Sequence, residues 1–339
     1  MKKSFNVEFW NFVCHFGEAK LLDYYIDLVH PAFIGDFFRK HGESSYFFYD
    51  VKIVECEIDE DTLPFVFGRI VKDTIIERDQ IFENDELKED KLLIQNSPSS
   101  IFVLSLKDHR LFFVKEHKDA PTMESFKATI TKFINDVRTE NIDNEYEYLK
   151  EQRDFCGGTK RVTTKKSLGV RFPKPDIEII PLSSDADIDE FIKSMKEINK
   201  LQLDLVMPNN ESDCNPFFHH WRDKNKNLGN GKSKAIFSNP KKSLPHEKVS
   251  TFSKEAINDE NVLITITGKD LDNDKLVGTQ ENFKLTRKIN EIEQVPTLFA
   301  RSIYKTFLKL ISDGVIRGPK ITDVSKVKDK LKYIMSMIK

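Results

Sequence analysis

The chain has 339 residues, of which 39% are hydrophobic and 11% aromatic, so it can bury a sizeable core and is not a disordered protein. Its net charge of −2 hides an asymmetry, because residues 1–157 carry a charge of −11 and residues 158–339 a charge of +9. A basic half of this size indicates an anionic partner, although attraction between the two halves, within one chain or across a dimer, explains it as well.

The cysteines indicate the compartment. Cys14, Cys56, Cys156 and Cys214 lie far apart and form no Cys-x-x-Cys pair, which is not a disulfide framework and is typical of a reducing environment. No signal-peptide pattern opens the chain, and no run of 18 apolar residues occurs. These features predict a cytoplasmic protein that does not insert into a membrane.

Residues 1–140 predict an acidic α+β domain. Residues 5–9 alternate between apolar and polar, and residues 46–57 and 63–76 are rich in aromatic and β-branched side chains, so all three are predicted strands. Residues 18–30 have apolar positions three and four apart, which predicts a helix. The acidic residues 77–91 predict turns.

A β-hairpin is the clearest local signal in this domain. Two apolar runs, residues 100–106 and 110–114, flank three polar residues. Thr122 then begins a helix whose apolar residues share one face. Strands followed by a covering helix favour a mostly antiparallel sheet with helices packed on it.

Residues 141–175 are predicted to be a linker, because an acidic stretch with a weak pattern is followed there by a basic stretch that ends in prolines. Residues 176–339 then predict a second, basic α+β domain. A strand at 177–182 is followed by Ser184-x-x-Asp187, the form of a capping box that begins a helix.

The rest of the second domain alternates strands with a long irregular segment. Residues 201–207 predict a strand, and residues 208–250, rich in proline, glycine, asparagine and lysine, predict a loop excursion. Strands are predicted at 262–267 and 283–289. A long C-terminal helix with one apolar face is predicted from Pro296 to Asp313.

Basic segments in the second half predict a nucleic-acid interface. Lysine and arginine neutralise phosphates, and the small polar residues beside them donate to phosphate oxygens. No helix-turn-helix or zinc-finger spacing accompanies them, so sequence-specific recognition is not implied. The residues predicted to contact nucleic acid are Lys160, Arg161, Lys165, Lys166, Arg171, Arg222, Lys224, Lys226, Lys232, Lys234, Lys241 and Lys242.

The sequence contains no convincing motif for catalysis, and it predicts no metal ion and no cofactor. An alternative is a metal-dependent nuclease assembled from Asp176, His219, His220 and His246. Pro175-Asp176 opens a restriction-nuclease pattern, but that chemistry needs a later acid-x-Lys on a strand, which the sequence lacks.

Three stretches of apolar positions resemble the RexA-type phage-exclusion proteins and related abortive-infection proteins. The first comprises residues 99–113 with the helix after Pro121. The second comprises residues 177–208, and the third comprises residues 262–268 before the C-terminal helix.

The resemblance implies a non-enzymatic sensor or regulator of anti-phage defence. Such a protein binds DNA, acts as a homodimer and signals to an effector such as a membrane channel. The family supplies no catalytic residues to carry over. A further alternative is a protein–protein adaptor whose acidic and basic halves pair across a homodimer.

Overall fold

The computed structural model describes residues 4–83, 85–158, 163–209, 216–228, 233–239, 241–319 and 321–338. Two sheets and the helices packed on them confirm the predicted α+β class, and every strand pairing among these residues is antiparallel. The strands are β1 (Phe5–Phe16), β2 (Ala19–Lys20), β3 (Arg39–His41), β4 (Ser44–Ile58), β5 (Asp61–Glu83), β6 (Glu86–Asn96), β7 (Ser99–Ser105), β8 (Arg110–Lys115), β9 (Asp176–Pro181), β10 (Met195–Leu205), β11 (Ser233–Ser238), β12 (Val262–Asp270), β13 (Lys275–Thr279) and β14 (Thr286–Ile289). The helices are α1 (His30–Ile34), α2 (Met123–Phe155), α3 (Lys165–Arg171), α4 (Asp185–Lys193), α5 (Pro216–Asn227), α6 (His246–Ile257), α7 (Pro296–Ser312) and α8 (Val324–Ile338).

The first sheet has ten strands and is built around β1. Its main path runs β14-β1-β8-β7-β5-β4-β3, with β2 and β9 also paired to β1 and β6 paired to β5. Strands β9 and β14 come from the basic half of the chain, so this sheet contains strands from both sides of the predicted linker. The linker residues 141–155 continue helix α2 and do not form a separate irregular segment.

Both faces of the first sheet are buried. Trp10 and Phe12 of β1 pack with α2 and α8 on one face, while Val7 and Phe9 pack with α7 on the other. Side chains alternate between the faces of a strand, so a strand covered on both sides has an almost continuous apolar sequence, as β1 has.

The predicted start of α2 is confirmed. The Oγ1 atom of Thr122 accepts a hydrogen bond from the backbone N–H of Ser125 at 3.3 Å. This bond satisfies one of the free N–H groups at the start of the helix.

The second sheet has four strands in the order β11-β10-β12-β13, and its core contains residues of α4, α5 and α6. The predicted capping box at the start of α4 is confirmed, since Ser184 Oγ accepts from Asp187 N–H and Asp187 Oδ2 accepts from Ser184 N–H, each at 3.2 Å. The predicted loop excursion over residues 208–250 is wrong, because α5, β11 and the start of α6 lie within it. Each element is short, and the polar residues between them dominate the local composition.

The predicted turns at residues 77–91 are also wrong. Strands β5 and β6 form a long antiparallel hairpin there, joined from Thr74↔Asn96 to Glu83↔Glu86. The charged runs Glu77–Asp79 and Lys88–Lys91 lie inside the paired strands with apolar residues on both sides, so their composition alone was a poor guide to their structure.

Buried polar contacts join the two sheets. The Arg110 guanidinium, at the start of β8, pairs with the Glu260 carboxylate next to β12, and both residues are buried. Asn11 of β1 donates from Nδ2 to the Glu260 carbonyl at 2.9 Å and to Asn261 Oδ1 at 3.1 Å. Because these groups are removed from water, the contacts between them fix how the two sheets sit against each other.

Candidate nucleic-acid interface

Among the described residues, helices cover only one face of the second sheet. Leu201, Leu203 and Leu205 of β10 are buried in the core with α4, α5 and α6. The residues between them, such as Lys200 and Gln202, point to the opposite face and are partly exposed. We call this opposite surface the open face.

The register of the four strands defines the open face, because directly paired residues project to the same side. Gln202, for example, lies opposite Ile236 of β11 and Thr265 of β12. The open face consists of Glu197, Lys200, Gln202 and Asp204 of β10, Lys234, Ile236 and Ser238 of β11, Leu263, Thr265, Thr267 and Lys269 of β12, and Lys275, Val277 and Thr279 of β13.

Positive charge exceeds negative charge on the open face, which has four lysines and two carboxylates, those of Glu197 and Asp204. The Lys234 Nζ lies 3.3 Å from Asp204 Oδ1, and the Lys269 Nζ lies 3.2 Å from Glu197 Oε2. Lys200 and Lys275 form no ion pair with the described residues. The hydroxyls of threonine and serine lie among these lysines and supply donors for phosphate oxygens.

One end of the open face forms a wall of a cleft of about 900 Å³ between the two sheets. Lys234 and Asp204 line this wall, and Lys226 of α5 lies beside them. The opposite wall contains His15 of β1 and Asp176 of β9, which are paired across those strands. Carboxylates and amines both line the cleft, so it is less positive than the open face that leads into it.

His15 is neutral at neutral pH. Burial lowers its pKa, and the nearby Lys20 ammonium lowers it further, against the opposing effect of a hydrogen bond with the backbone of Met207. Asp176 lies beside this ring, but within the described ranges no three His, Cys, Asp or Glu side chains are grouped so that they could hold a metal ion.

The residues of the nuclease alternative are not brought together. His219 and His220 are exposed on α5, and His219 Nδ1 lies 3.3 Å from Asp223. His246 contacts the Met195 carbonyl at 3.0 Å at the start of α6. Asp176 lines the cleft, as described above.

The predicted basic residues around α3 lie against α2. Lys165 Nζ is 2.8 Å from Asp143 Oδ1, and Arg171 Nη1 is 2.8 Å from Glu145 Oε1. The ion pair with Asp143 raises the pKa of Lys165. Lys166 is exposed on the same helix. The first and last cations of α3 therefore neutralise acidic residues of the first half.

Arg222 is not part of an exposed basic loop, as the sequence predicts, but a buried residue of α5. Its guanidinium donates to Asp259 Oδ1 at 2.6 Å, to the Val206 carbonyl at 3.0 Å and to the Asn261 carbonyl at 3.2 Å. Its helical spacing from Phe218 places both on the buried side of α5. Arg222 is thus removed from the predicted interface.

The remaining predicted residues lie around the second sheet. Lys224 and Lys226 are exposed on α5, and Lys234 is on the open face. Lys241 and Lys242 are exposed after β11, where their backbone N–H groups donate to Asn239 Oδ1 at 3.0 and 3.2 Å. Lys160, Arg161 and Lys232 lie outside the described residues.

Three lysines of the open face were missed by the sequence reasoning. Lys200, Lys269 and Lys275 lie on strands, and clusters of lysine in loops dominate the charge pattern. The available signal was the alternation of polar residues between Leu201, Leu203 and Leu205, which shows that one face of the strand is not buried.

Comparison with known proteins gives no identity. No protein-family model matches the chain, and no curated protein matches it either. Within the described part of the chain, no helix has both the length and the apolar character that crossing a membrane requires.

Proposed function

We propose that the protein binds nucleic acid on the open face, without catalysis and without sequence specificity. The observation that carries the proposal is the set of Lys200, Lys234, Lys269 and Lys275 among hydroxyl and amide side chains, on a sheet face that no helix of the described residues covers. Such a surface neutralises phosphates and donates hydrogen bonds to them, and these contacts are independent of sequence.

Stacking on bases is not expected to contribute much. The open face contains no Phe, Tyr or Trp among its described residues, and its exposed apolar side chains are Ile236 and Val277. Proteins that bind single strands usually add aromatic stacking to a basic groove. The proposal therefore favours phosphate contacts over base contacts, and double-stranded over single-stranded DNA as the partner.

The test is fluorescence anisotropy with labelled single- and double-stranded DNA over a series of salt concentrations. We expect affinity to fall steeply with salt, with a slope on duplex DNA of about −0.9 per phosphate contact in a double-logarithmic plot. Absence of binding at low salt would contradict the proposal. Recovery of intact DNA after incubation with Mg²⁺, Mn²⁺ or Zn²⁺ is the accompanying check against the nuclease alternative.

A charge-reversal variant locates the contact. Lys200→Glu, Lys234→Glu and Lys275→Glu together should weaken binding at least about tenfold and flatten the salt slope, by about 1 for each lysine that contacts a phosphate. Lys305→Glu with Lys309→Glu on the exposed side of α7 is the matched control, since both lysines are exposed and far along the chain from the open face. Equal losses in both variants would indicate a general charge effect only.

We propose further that DNA binding serves anti-phage defence, on the basis of the resemblance described above. Plaque formation on cells that express the protein is the measurement. Protection by the wild-type chain, lost in the open-face variant but kept in the α7 control, would support the role. Equal protection by both variants would show that defence does not require DNA binding on the open face.

A further inference from the structure

The distal part of the β5–β6 hairpin is a two-stranded ribbon without cover. It runs from Thr74↔Asn96 to Glu83↔Glu86, and in the described residues β6 pairs with β5 alone. Ten residues of β5 make it about 33 Å long. A two-stranded ribbon is at best marginally stable in water unless one of its faces is packed against something.

The two faces of this ribbon differ in chemistry. One carries five exposed apolar side chains, and we call it the apolar face: Ile76, Phe82, Leu87, Leu92 and Ile94, which are 42–71% exposed. The other face, which we call the acidic face, carries Glu77, Asp79, Glu83 and Glu86 together with Lys88 and the apolar side chains of Ile75, Ile81 and Leu93. The acidic face excludes a phosphate backbone as the partner of the ribbon.

We propose that the apolar face packs against the apolar face of a second copy of this chain, so that the protein forms a two-fold dimer through its ribbons. The inference does not rest on DNA binding. Exposed apolar patches of this extent mark interaction sites, and a two-fold interface uses the same patch on both subunits.

Charge complementarity favours the second copy as the occupant. The apolar side chains lie in two groups, one at the base of the ribbon around Ile76 and one at its tip around Phe82. If the two-fold axis lies midway between the two groups, the group around Ile76 of one copy packs on the group around Phe82 of the other copy. The Arg78 row then faces the Gln80–Glu89 row of the second copy. Arg78 is paired with Asp90 and Glu89 with Lys91 in their own ribbon, so each of them would share its partner with the opposite charge of the second copy.

The surface area that the two ribbons would bury is also sufficient for a weak dimer. Five large side chains that are on average about half exposed would remove roughly 500 Å² per copy, or about 1,000 Å² in total, which reaches the lower limit for specific interfaces. Two sheets packed face to face lie about 10 Å apart, so the side chains of the two ribbons can interdigitate. We therefore expect a dimer that forms at micromolar concentrations.

The experiment is sedimentation velocity of the full chain at micromolar concentrations. Wild type should sediment at twice the chain mass of 39.5 kDa. The variant Phe82→Thr with Leu87→Thr and Ile94→Thr should sediment at the single-chain mass, because threonine keeps the preference for strand but removes the apolar contact. A wild-type chain that stays at the single-chain mass would overturn the proposal.

The matched control is Ile75→Thr with Leu93→Thr, which removes equally exposed apolar side chains, 55% and 67%, from the acidic face. We expect this variant to remain a dimer. Circular dichroism of both variants confirms that they fold. A folded apolar-face variant that still dimerises, or a control that becomes monomeric to the same extent, would show that the dimer uses another surface.

Discussion

The two sheets differ in what covers them. Apart from the β5–β6 ribbon, the ten-stranded sheet is buried on both faces, by α2 and α8 on one side and α7 on the other, and the four-stranded sheet is buried on one. The covered sheet has a core of aromatic rings, whereas the open face has lysines and hydroxyls. The first sheet thus contributes the aromatic core, and the second sheet carries the surface on which we propose that nucleic acid binds.

The comparison also explains the charge asymmetry between the two halves of the chain. Around the first sheet, cations of the basic half pair with carboxylates of the acidic half, as in Lys284 with Glu8 at 2.9 Å and Lys328 with Asp61 at 3.1 Å. Attraction between the halves within one chain thus accounts for part of the asymmetry. The lysines of the second sheet are the part that remains for an anionic partner.

The largest difference in the free energy of unfolding is expected between a substitution in the core of the first sheet and one on the open face. Phe126 of α2 is fully buried, and its ring centroid lies 5.0 Å from that of Phe102. Phe126→Ala should cost about 3–5 kcal/mol of the free energy of unfolding through lost burial and a cavity. Thr265→Ala on the open face should change it by less than about 0.5 kcal/mol. Urea unfolding measures both, and equal losses would mean that the open face is buried.

Removing one partner of the buried ion pair between the sheets should lower the free energy of unfolding by about as much as Phe126→Ala, or slightly less. Arg110→Met leaves the Glu260 carboxylate buried without its guanidinium, which should cost about 3–5 kcal/mol. The double variant with Glu260→Met should recover most of that loss, because no charge is then left uncompensated.

The control for this pair is Lys132→Met on the exposed side of α2, whose partner Asp136 lies at 2.5 Å. It should cost less than about 0.5 kcal/mol. If Arg110→Met were as mild as this control in urea unfolding, the ion pair would not hold the sheets together.

The stability of the fold is expected to depend on pH because of His109, which lies in the turn between β7 and β8. Burial lowers the pKa of His109 to about 3, and the neighbouring Arg110 guanidinium adds to this effect. The unfolded chain therefore binds a proton that the folded chain does not between about pH 6.5 and 3, so stability falls as the pH falls through this window, by about 1.4 kcal/mol per pH unit.

The variant His109→Asn should flatten this decline, and asparagine tolerates the positive φ of 55° at this position. Urea unfolding of wild type and variant at several pH values between 6.5 and 4 measures the difference in slope. Identical slopes would show that His109 is not buried in the neutral form.

A small loss in the free energy of unfolding is expected from a substitution at the surface of the first sheet. Lys330 of α8 pairs with Asp23, and both side chains are partly exposed. Lys330→Ala should cost less than about 1 kcal/mol, because Val327, Leu331 and Ile334 of the same helix are buried in the core. A loss well above this value in thermal or urea unfolding would mean that the ion pair, and not the apolar contact, holds α8.

Local patterns predicted the elements whose signals are contained within a few residues. The β7–β8 hairpin, the cap at Thr122 and the capping box at Ser184 all depend on near neighbours in the chain. The pairing of β1 with β9 and β14 brings together residues more than 160 positions apart, and periodicity holds no information on such partners. The extent of the first sheet was unpredictable for that reason.

The candidate site was predicted in part. Lys234 was chosen for its charge and does lie on the open face, whereas Arg222 was chosen for the same reason and is buried. Composition cannot separate these two cases, because burial of Arg222 depends on Asp259, which follows it by 37 positions. The charge pattern of a sequence indicates the region in which an interface lies. The strand register in the folded chain then shows which residues of that region reach the surface.

The most direct test of the account compares two charge-reversal sets in one anisotropy titration of DNA. One set changes Lys200, Lys234 and Lys275 of the open face to glutamate, and the other changes Lys165, Lys166 and Arg171 of α3. We predict that the open-face set lowers affinity at least about tenfold and that the α3 set changes it less than about twofold. The reason is that Lys200 and Lys275 form no ion pair with the described residues, whereas the cations at the two ends of α3 pair with Asp143 and Glu145. Loss of binding in the α3 set with unchanged binding in the open-face set would contradict the account.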